Sequence, residues 1–240
     1  MENFSFKNVS FAYPEQENKA LRNISFKVNQ GEFLILCGPS GCGKSTLLRH
    51  LKTCLTPHGV LTGEILFGGK ALNEVDERTQ SQEIGFVLQS PENQVVTDKV
   101  WHELAFGLES LGLDTPTIRR RVAEVAAFFG IENWFYKNVT ELSGGQKQLL
   151  SLASVMAMSP KILVLDEPTA QLDPIAASDF LALLGKINRE LGITVILTEH
   201  RLEEAFPFAT RVIVMENGEI VCVDTPDKVG LHLRDKDSGM

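Results

Sequence analysis

Eight residues with the sequence GPSGCGKS restrict the fold of this chain more than any other stretch. They follow an apolar run, FLILC, and precede a helix-forming run, which is the context in which such a loop holds phosphate groups. The glycines let backbone N–H groups turn inward, Lys44 neutralises phosphate oxygens, and the Ser45 hydroxyl suits Mg²⁺. The chain therefore matches the Walker A pattern. The predicted nucleotide-binding residues here are Gly38, Pro39, Ser40, Gly41, Cys42, Gly43, Lys44, Ser45 and Thr46.

The order of strands and helices around this loop predicts a parallel sheet. Downstream, KILVLD, DPIAASDFLALLGKINREL and ITVILTEH alternate strand, helix and strand, and buried strands separated by helices pair in parallel. Upstream, FSFKNVSFAY and ISFKVNQGEFLILCG predict strands, with further strands at residues 63–67 and 84–88 and a helix over residues 45–53. The pattern from about Val100 to Met158 is helical, with Thr115 as the cap and Pro116 as the first position of a helix. We expect this span to form an inserted subdomain.

Composition and charge exclude several classes of function. With 43% hydrophobic and 22% charged residues the chain is typical of a globular protein, and no apolar run approaches the roughly 18 residues that span a bilayer. Its beginning, MENFSFKNVS, lacks the layout of a signal peptide, so a cytosolic location is expected. The net charge of −8 argues against binding nucleic-acid phosphates. The cysteines Cys37, Cys42, Cys54 and Cys222 show no metal-type spacing, which favours reduced thiols.

Polar side chains follow three of the predicted strands. Asp166 and Glu167 end the run ILVLDE, Gln89 follows IGFVL, and His200 ends ITVILTEH. Because the carboxyl ends of parallel strands meet at one edge of a sheet, these side chains should lie beside the phosphate loop. There Asp166 is suited to coordinate Mg²⁺, Glu167 to polarise an attacking water and Gln89 to reach either of them. Spacing alone leaves open a purely structural role for His200.

A second glycine motif, ELSGGQKQLL, stands between the Walker A loop and ILVLDE. These three motifs in this order resemble the ATP-binding subunit of ABC transporters, whose signature motif is LSGGQ, and the resemblance covers essentially the whole chain. It implies an α/β fold: a P-loop NTPase (RecA-like) core with an N-terminal antiparallel β subdomain and an inserted helical subdomain. Within one domain of residues 1–240, we expect residues 1–89 and 159–240 to form the β subdomain and P-loop core. Residues 90–158 would form the helical subdomain with the signature motif.

The resemblance also implies roles for single residues. Glu167 would be the catalytic base, Gln89 the Q-loop glutamine, His200 the switch histidine and Asp173 the D-loop aspartate. Tyr13, which alone would pass for a surface aromatic beside a proline, would stack on the base. The implied cofactors are ATP and Mg²⁺. The implied metal ligands are Ser45, Gln89 and Asp166.

The presence of two glycine motifs follows from how ABC proteins pair. Two chains meet head to tail, so that each ATP lies between the Walker A loop of one chain and the signature loop of the other. The implied partner is a second ABC ATPase subunit, either a copy or a paralogue. A transmembrane subunit and a substrate-binding membrane subunit would complete the assembly at the cytoplasmic face of the membrane. The residues implied to contact the partner's ATP are Ser143, Gly144, Gly145 and Gln146.

A narrower resemblance follows Gln89. The stretch SPENQ, then VWHELAFGLES, and the later TEHRLEEA are similar to the energy-coupling factor branch, which imports vitamins and cobalt or nickel ions. We expect this segment to report the nucleotide state to a membrane partner through a groove for a short helix. Trp101 and Leu104 are expected in the core, and Gln94 in the groove. Two departures from the family pattern are Leu149, where many members carry arginine, and Gln171, where the D-loop usually has a small residue.

We therefore predict an ATP-hydrolysing subunit that powers a membrane importer of the energy-coupling factor type. Other ABC importers, for amino acids, metals or lipids, remain an alternative. A nucleic-acid-associated ABC ATPase is disfavoured, because such chains carry a long coiled-coil insertion or a second cassette. A module that holds ATP without turnover is disfavoured by Glu167 and His200. The sequence identifies neither the cargo nor whether the partner chain is a copy.

Overall fold

The chain folds into two β-sheets flanked by helices. The computed structural model describes residues 2–15 and 18–237, with side chains up to Leu231, so the two ends of the predicted 1–240 domain lie outside the described residues. The strands are β1 (Glu2–Ala12), β2 (Leu21–Asn29), β3 (Phe33–Cys37), β4 (Val60–Phe67), β5 (Lys70–Ala71), β6 (Ile84–Val87), β7 (Ile162–Asp166), β8 (Thr194–Thr198), β9 (Arg211–Glu216) and β10 (Glu219–Asp224). The helices are α1 (Lys44–Arg49), α2 (Glu77–Glu83), α3 (Val100–Ser110), α4 (Thr115–Phe129), α5 (Gly144–Ala157), α6 (Pro174–Leu191), α7 (Leu202–Ala205) and α8 (Pro226–Asp237).

The larger sheet is the predicted parallel one. Its order is β10-β9-β3-β8-β7-β6, and all neighbours pair in parallel except the edge strand β10. Every residue of β3, β6, β7 and β8 is buried, which is why these strands are continuous apolar runs rather than alternating ones. The residues that follow these four strands meet at one edge, beside the phosphate loop.

The smaller sheet is antiparallel, in the order β2-β1-β4-β5. It covers one face of the parallel sheet through a core that includes Phe4, Phe6 and Phe11 of β1 together with Leu47 of α1. This arrangement confirms the predicted fold class, an α/β P-loop NTPase with an N-terminal antiparallel β layer and a set of helices between β6 and β7.

Strand β3 belongs to both hydrophobic cores. Phe33, Ile35 and Cys37 face the core formed with helices α3 to α6, whereas Leu34 and Leu36 face the core under the antiparallel sheet. The alternation follows from the two-residue period of a strand. The phosphate loop, which starts at the next residue, is thus anchored to both packed layers.

Helices α3, α4 and α5 pack against one another and form the predicted helical span. Leu104 is fully buried as expected, but the prediction for Trp101 is wrong, because its side chain is 40% exposed. None of the helices in the described residues is long and apolar enough to cross a bilayer.

Two predicted helix boundaries differ from the structure. Helix α1 ends at Arg49 rather than at Thr53, because the backbone N–H of Thr53 donates to the Gln80 side chain (3.0 Å) instead of continuing the helix. Helix α4 begins one residue earlier than expected, since the carboxylate of Asp114 accepts the Thr117 N–H and caps the helix. The Thr53–Gln80 bond joins residues 27 positions apart and is absent from any local residue pattern, whereas the Asp114 cap is a local feature that the sequence contains.

Candidate nucleotide-binding site

The phosphate loop requires glycine at two of its positions. Gly38 and Gly43 have positive φ angles of 141° and 106°, and a Cβ there would lie 2.0 Å from the Met215 carbonyl oxygen and 2.6 Å from that of Ala20, respectively. No other residue type fits such backbone approaches. The loop is therefore a cradle shaped by close packing against the backbone behind it, as anion-binding loops require.

A cavity of about 460 Å³ lies in front of this loop, and it has the chemistry of a nucleotide pocket. Lys44 is only 4% exposed, and its Nζ arches over the loop to donate to the carbonyl oxygens of Gly38 (2.8 Å) and Pro39 (3.2 Å). The cavity is lined by Tyr13, Asn18, Lys19, Ala20, Ser40, Gly41, Gly43, Lys44, Ser45, Thr46 and Glu167. Six predicted residues of the phosphate loop and the start of α1 thus line the cavity together with Glu167, whereas Gly38, Pro39, Cys42 and Asp166 do not.

Two hard oxygen ligands meet at the inner end of this cavity. The Ser45 hydroxyl donates to Oδ1 of Asp166 at 2.9 Å, and the same oxygen accepts a bond from Thr198 at 2.9 Å. A hydroxyl and a single carboxylate are the protein ligands that Mg²⁺ accepts when substrate phosphates and waters complete its octahedron. The residues present therefore fit a phosphate-bound magnesium ion. Gln89 was predicted as a third metal ligand, but its side-chain amide donates a hydrogen bond to Glu167.

Glu167 is the centre of a three-residue cluster. Its Oε1 lies 2.8 Å from Nε2 of His200, and its Oε2 accepts a bond from Nε2 of Gln89 at 3.0 Å. Its own backbone is in the left-handed region (φ 46°), where its N–H donates to the carbonyl oxygen (3.2 Å) and hydroxyl (2.9 Å) of Thr198. The three catalytic candidates of the sequence analysis therefore lie in direct contact.

Tyr13 borders the same cavity from the antiparallel sheet. Its hydroxyl is 2.9 Å from Oγ1 of Thr46, and its ring meets Phe11 edge-on. The bond to α1 holds the ring at the wall of the cavity, beside the phosphate loop. Asp173 does not line the cavity. Its exposed carboxylate caps α6 by accepting the N–H groups of Ile175 and Ala176, both at 3.0 Å.

The signature residues do not line this cavity. Ser143 caps α5 and forms a reciprocal pair of bonds with Gln146, at 3.3 Å and 3.0 Å. A Cβ on Gly144 would meet nothing within 4 Å, and one on Gly145 would make only ordinary contacts, the nearest at 3.8 Å. Packing within the chain therefore gives no reason for two adjacent glycines at this exposed helix start.

Cys42 lies within the phosphate loop, but its side chain is buried in the core under the antiparallel sheet rather than in the cavity. The side chain of Cys42, which was predicted among the nucleotide-binding residues, therefore does not line the cavity. Burial raises the pKa of the Cys42 thiol, with Lys44 partly opposing the change, and burial raises the pKa of Cys37 to about 11. Both thiols are protonated at neutral pH and are poor nucleophiles.

We expect iodoacetamide to label the exposed Cys54 first at pH 7.5, and Cys42 and Cys37 only slowly. Because burial raises the pKa of the Cys42 and Cys37 thiols, their labelling should increase only when the pH rises above the usual range of thiol pKa values. Mg-ATP should change the Cys42 rate by less than about twofold. Mass spectrometry of quenched time points measures each site, and fast Cys42 labelling that ATP blocks would show that the thiol faces the nucleotide.

Three buried residues near the site were not anticipated as contributors. Thr198 is the last residue of β8, Glu199 lies between β8 and His200, and Thr169 follows Glu167 by two positions. Their proximity to predicted catalytic positions was an available signal. Gln94 lines a groove, as predicted, and it also accepts the N–H of Leu88 (2.8 Å) and donates to the carbonyl of Phe86 (3.2 Å), so it braces the end of β6.

A groove of about 550 Å³ lies beside this brace, between α2 and the helices α3 and α5. Phe106 and Val96 line it and remain 44% and 64% exposed. Beneath them the Glu103 carboxylate accepts the backbone N–H groups of Val96 (3.2 Å) and Thr97 (2.9 Å), which fixes the segment after the Q-loop. The groove is thus preformed, and its lining combines apolar side chains such as Phe106 with charged ones such as Glu77 and Arg78.

Comparisons with known proteins decide the family. The family model described as ABC transporter matches residues 21–170, from β2 to just beyond Glu167. The chain belongs to the ABC transporter family. A Bacillus cereus protein named as an ABC transporter ATP-binding protein is 54% identical over 222 residues, which are 92% of this chain and 40% of that protein. A Methanosarcina acetivorans protein of the same name is 38% identical, over 93% of this chain and 68% of its own length. The chain thus spans less than half the length of the Bacillus relative.

Solved structures of ABC cassettes share the fold. CbiO1 of Clostridium perfringens, described as part of the ABC transporter complex CbiONQ, superposes with a TM-score of 0.85 at 32% identity, over 96% of this chain and 92% of its own. The dimeric ATP-binding cassette MJ0796 bound to ADP and Pi gives a TM-score of 0.80 at 29% identity, over 93% of this chain and 98% of its own. This chain thus shares the fold of ATP-binding cassettes of ABC transporters.

Proposed function

We propose that this chain binds Mg-ATP and hydrolyses it to power a membrane importer of the energy-coupling factor type, for vitamins or transition-metal ions. The observation that carries the proposal is the meeting of Lys44, the Ser45–Asp166 pair and Glu167 at one edge of the parallel sheet. Phosphate binding, metal binding and a base are the three elements that phosphoryl transfer to water requires.

In the proposed mechanism, Lys44 and the loop N–H groups hold the β- and γ-phosphates, and Ser45 and Asp166 hold Mg²⁺. The ion, when bound, withdraws charge from the phosphate oxygens. Glu167 accepts the proton of the attacking water, and Gln89 and His200 exchange their bonds to Glu167 for contacts with the water and the γ-phosphate. Tyr13 stacks on the adenine base.

We propose that a second chain completes each ATP-binding site. The signature residues 143–146 lie outside the pocket of their own chain, and Gly144 and Gly145 are not needed for packing within it. Backbone N–H groups without a Cβ, at a helix start, suit the γ-phosphate of a partner's ATP. The dimeric structure of MJ0796 supports a pair of chains, and we propose that this pair is head to tail and that Asp173 also contacts the partner. We further propose that residues 1–89 and 159–240 form the β subdomain and P-loop core, and that residues 90–158 form the helical subdomain.

The importer branch is proposed from two observations. The residues SPENQ and VWHELAFGLES after Gln89 resemble the energy-coupling factor branch, and CbiO1, part of a CbiONQ complex, shares the fold at 32% identity. In this proposal the groove beside Gln94 receives a short helix of a transmembrane subunit at the cytoplasmic face of the membrane. A change at Gln89 would then reach that helix through the braced segment of residues 94–97.

A charge placed in the groove should separate transport from hydrolysis. Phe106→Glu places a carboxylate on an exposed groove position that is outside the nucleotide pocket. We expect unchanged melting temperature and basal ATPase rate, because the side chain is already 44% exposed. Copurification of the membrane subunits from solubilised membranes should fall about tenfold or more, since an apolar contact is replaced by a buried charge.

The matched control is Tyr136→Glu, which makes the same change at a side chain that is 79% exposed and outside the groove. Affinity purification from cells that express the full transporter, followed by mass spectrometry, identifies the membrane subunits and so names the importer class. Undiminished copurification with Phe106→Glu would show that the docking surface lies elsewhere. Membrane partners that lack the energy-coupling factor architecture would contradict the importer branch alone.

A further inference from the structure

A buried carboxyl group immediately precedes His200 and has no part in the chemistry proposed above. Glu199 is 3% exposed. Its Oε1 accepts the backbone N–H groups of His200 (2.7 Å) and Arg201 (3.0 Å), and its Oε2 accepts the hydroxyl of Thr169 at 2.5 Å. Burial of a carboxyl group is unfavourable unless its oxygens are hydrogen-bonded, and here three donors satisfy them. Because burial of a carboxyl group costs free energy, we expect its position to serve a role.

The bonds to Oε1 fix the direction of the chain as it leaves β8. A side chain that accepts the N–H groups of the next two residues forms a local turn and restrains the backbone dihedrals between them. The position of the His200 Cα, and hence the origin of its imidazole, is therefore set by where the Glu199 carboxyl group lies.

The position of the Glu199 carboxyl group is in turn linked to that of the Glu167 carboxylate. Thr169 is fully buried and stands two residues after Glu167 in the chain. The contacts consequently close a ring, from Glu167 along the chain to Thr169, across to Glu199, along the chain to His200, and back to Glu167 through the 2.8 Å contact. A second link parallels the first, because the Arg201 guanidinium donates to the carbonyl oxygen of Leu172 at 3.0 Å.

We propose that Glu199 and Thr169 are positioning residues, which aim His200 at Glu167 and at the γ-phosphate. The proposal rests on the roles proposed for Glu167 and His200. Neither Glu199 nor Thr169 lines the nucleotide cavity, so both act through the histidine. The Thr169–Glu199 hydrogen bond, together with β8, thereby fixes the position of His200 relative to Glu167.

The test compares Thr169→Val with Thr169→Ser. Valine keeps the shape of threonine but leaves Oε2 of Glu199 without its donor, whereas serine keeps the hydroxyl. We expect Thr169→Val to lower kcat for ATP about tenfold, with KM for ATP changed less than about twofold, and Thr169→Ser to retain activity. Glu199→Ala should match Thr169→Val. Thr194→Val is the matched control, because it removes a buried hydroxyl from hydrogen bonds at the opposite end of β8.

The deciding measurement repeats Thr169→Val in a His200→Ala background. If the bridge acts through the histidine, its loss should have no further effect once the histidine is gone. An equal fall in both backgrounds, or an equal fall in Thr194→Val, would show a merely structural role and overturn the proposal. Thr169→Ala, which adds no bulk, gives the same comparison if valine prevents folding.

Two outcomes separate this proposal from the proposed function. If His200→Ala lowers kcat while Thr169→Val does not, the positioning role is wrong and the catalytic assignment stands. If His200→Ala leaves kcat unchanged, the role proposed for the histidine is wrong, and the positioning role falls with it.

Discussion

Replacement of Glu167 by glutamine should lower the ATP turnover rate by roughly 10²- to 10⁴-fold. The amide has the size of the carboxylate and can still bond Gln89 and His200, which lie 3.0 Å and 2.8 Å from its oxygens, but it cannot accept a proton from water. ATP affinity should be unchanged, because Lys44 and the phosphate loop are untouched. Phosphate release at saturating Mg-ATP measures turnover, and calorimetry measures binding.

The control for Glu167→Gln is the same substitution at Glu203, an exposed residue of α7 that is outside the cavity. It should leave both turnover and affinity unaltered. The composite-site proposal adds a second expected result, which is that Glu167→Gln elutes as a dimer when ATP is present and as a monomer after the nucleotide is removed. Hydrolysis at more than about a tenth of the normal rate would assign the base to another residue.

Replacement of Lys44 by alanine should weaken ATP binding about 10²-fold or more. The ammonium group is held at the mouth of the loop by two carbonyl oxygens, at 2.8 Å and 3.2 Å, so it is already positioned for phosphate oxygens. Its loss removes a positive charge and its charge-assisted hydrogen bonds, each worth about 1.5–3 kcal/mol. Calorimetric titration with Mg-ATP gives the dissociation constant directly.

Lys161→Ala provides the matched control, because it removes one lysine whose side chain is 66% exposed and pairs with Glu83 outside the cavity. A thermal melt of each variant separates loss of binding from loss of folding. A dissociation constant for Lys44→Ala within about threefold of normal would mean that the loop at residues 38–45 is not the main phosphate site.

The sequence predicted most of the site because the sheet-edge rule is geometric. Gln89, Glu167 and His200 follow β6, β7 and β8, and parallel strands oblige the residues that leave their carboxyl ends to meet. The Gly38–Ser45 loop needed only its pattern and its flanking elements. Both arguments depend on residue order and on strand direction, which a sequence contains.

The parts that sequence reasoning missed depend on single side chains that reach across the fold. Glu199 and Thr169 are 30 positions apart and Thr53 and Gln80 are 27 apart, so nothing local announces either contact. Trp101 lies on an apolar stripe that predicts burial, yet the stripe is wider than the surface that α3 buries. Side-chain direction within the loop that holds Cys42 likewise follows from φ angles that no residue pattern specifies.

The two contacts to Glu167 have a consequence for the energy economy of a cell. Each carboxylate oxygen of Glu167 is engaged by another residue of the chain, one by Gln89 and the other by His200. Each oxygen can accept a second hydrogen bond, so an attacking water would share Glu167 with these two residues. On the proposed assignment, the orientation of the base thus depends on two segments at once, and an assembled transporter that moves either of them would change the rate at which the cell's ATP is consumed.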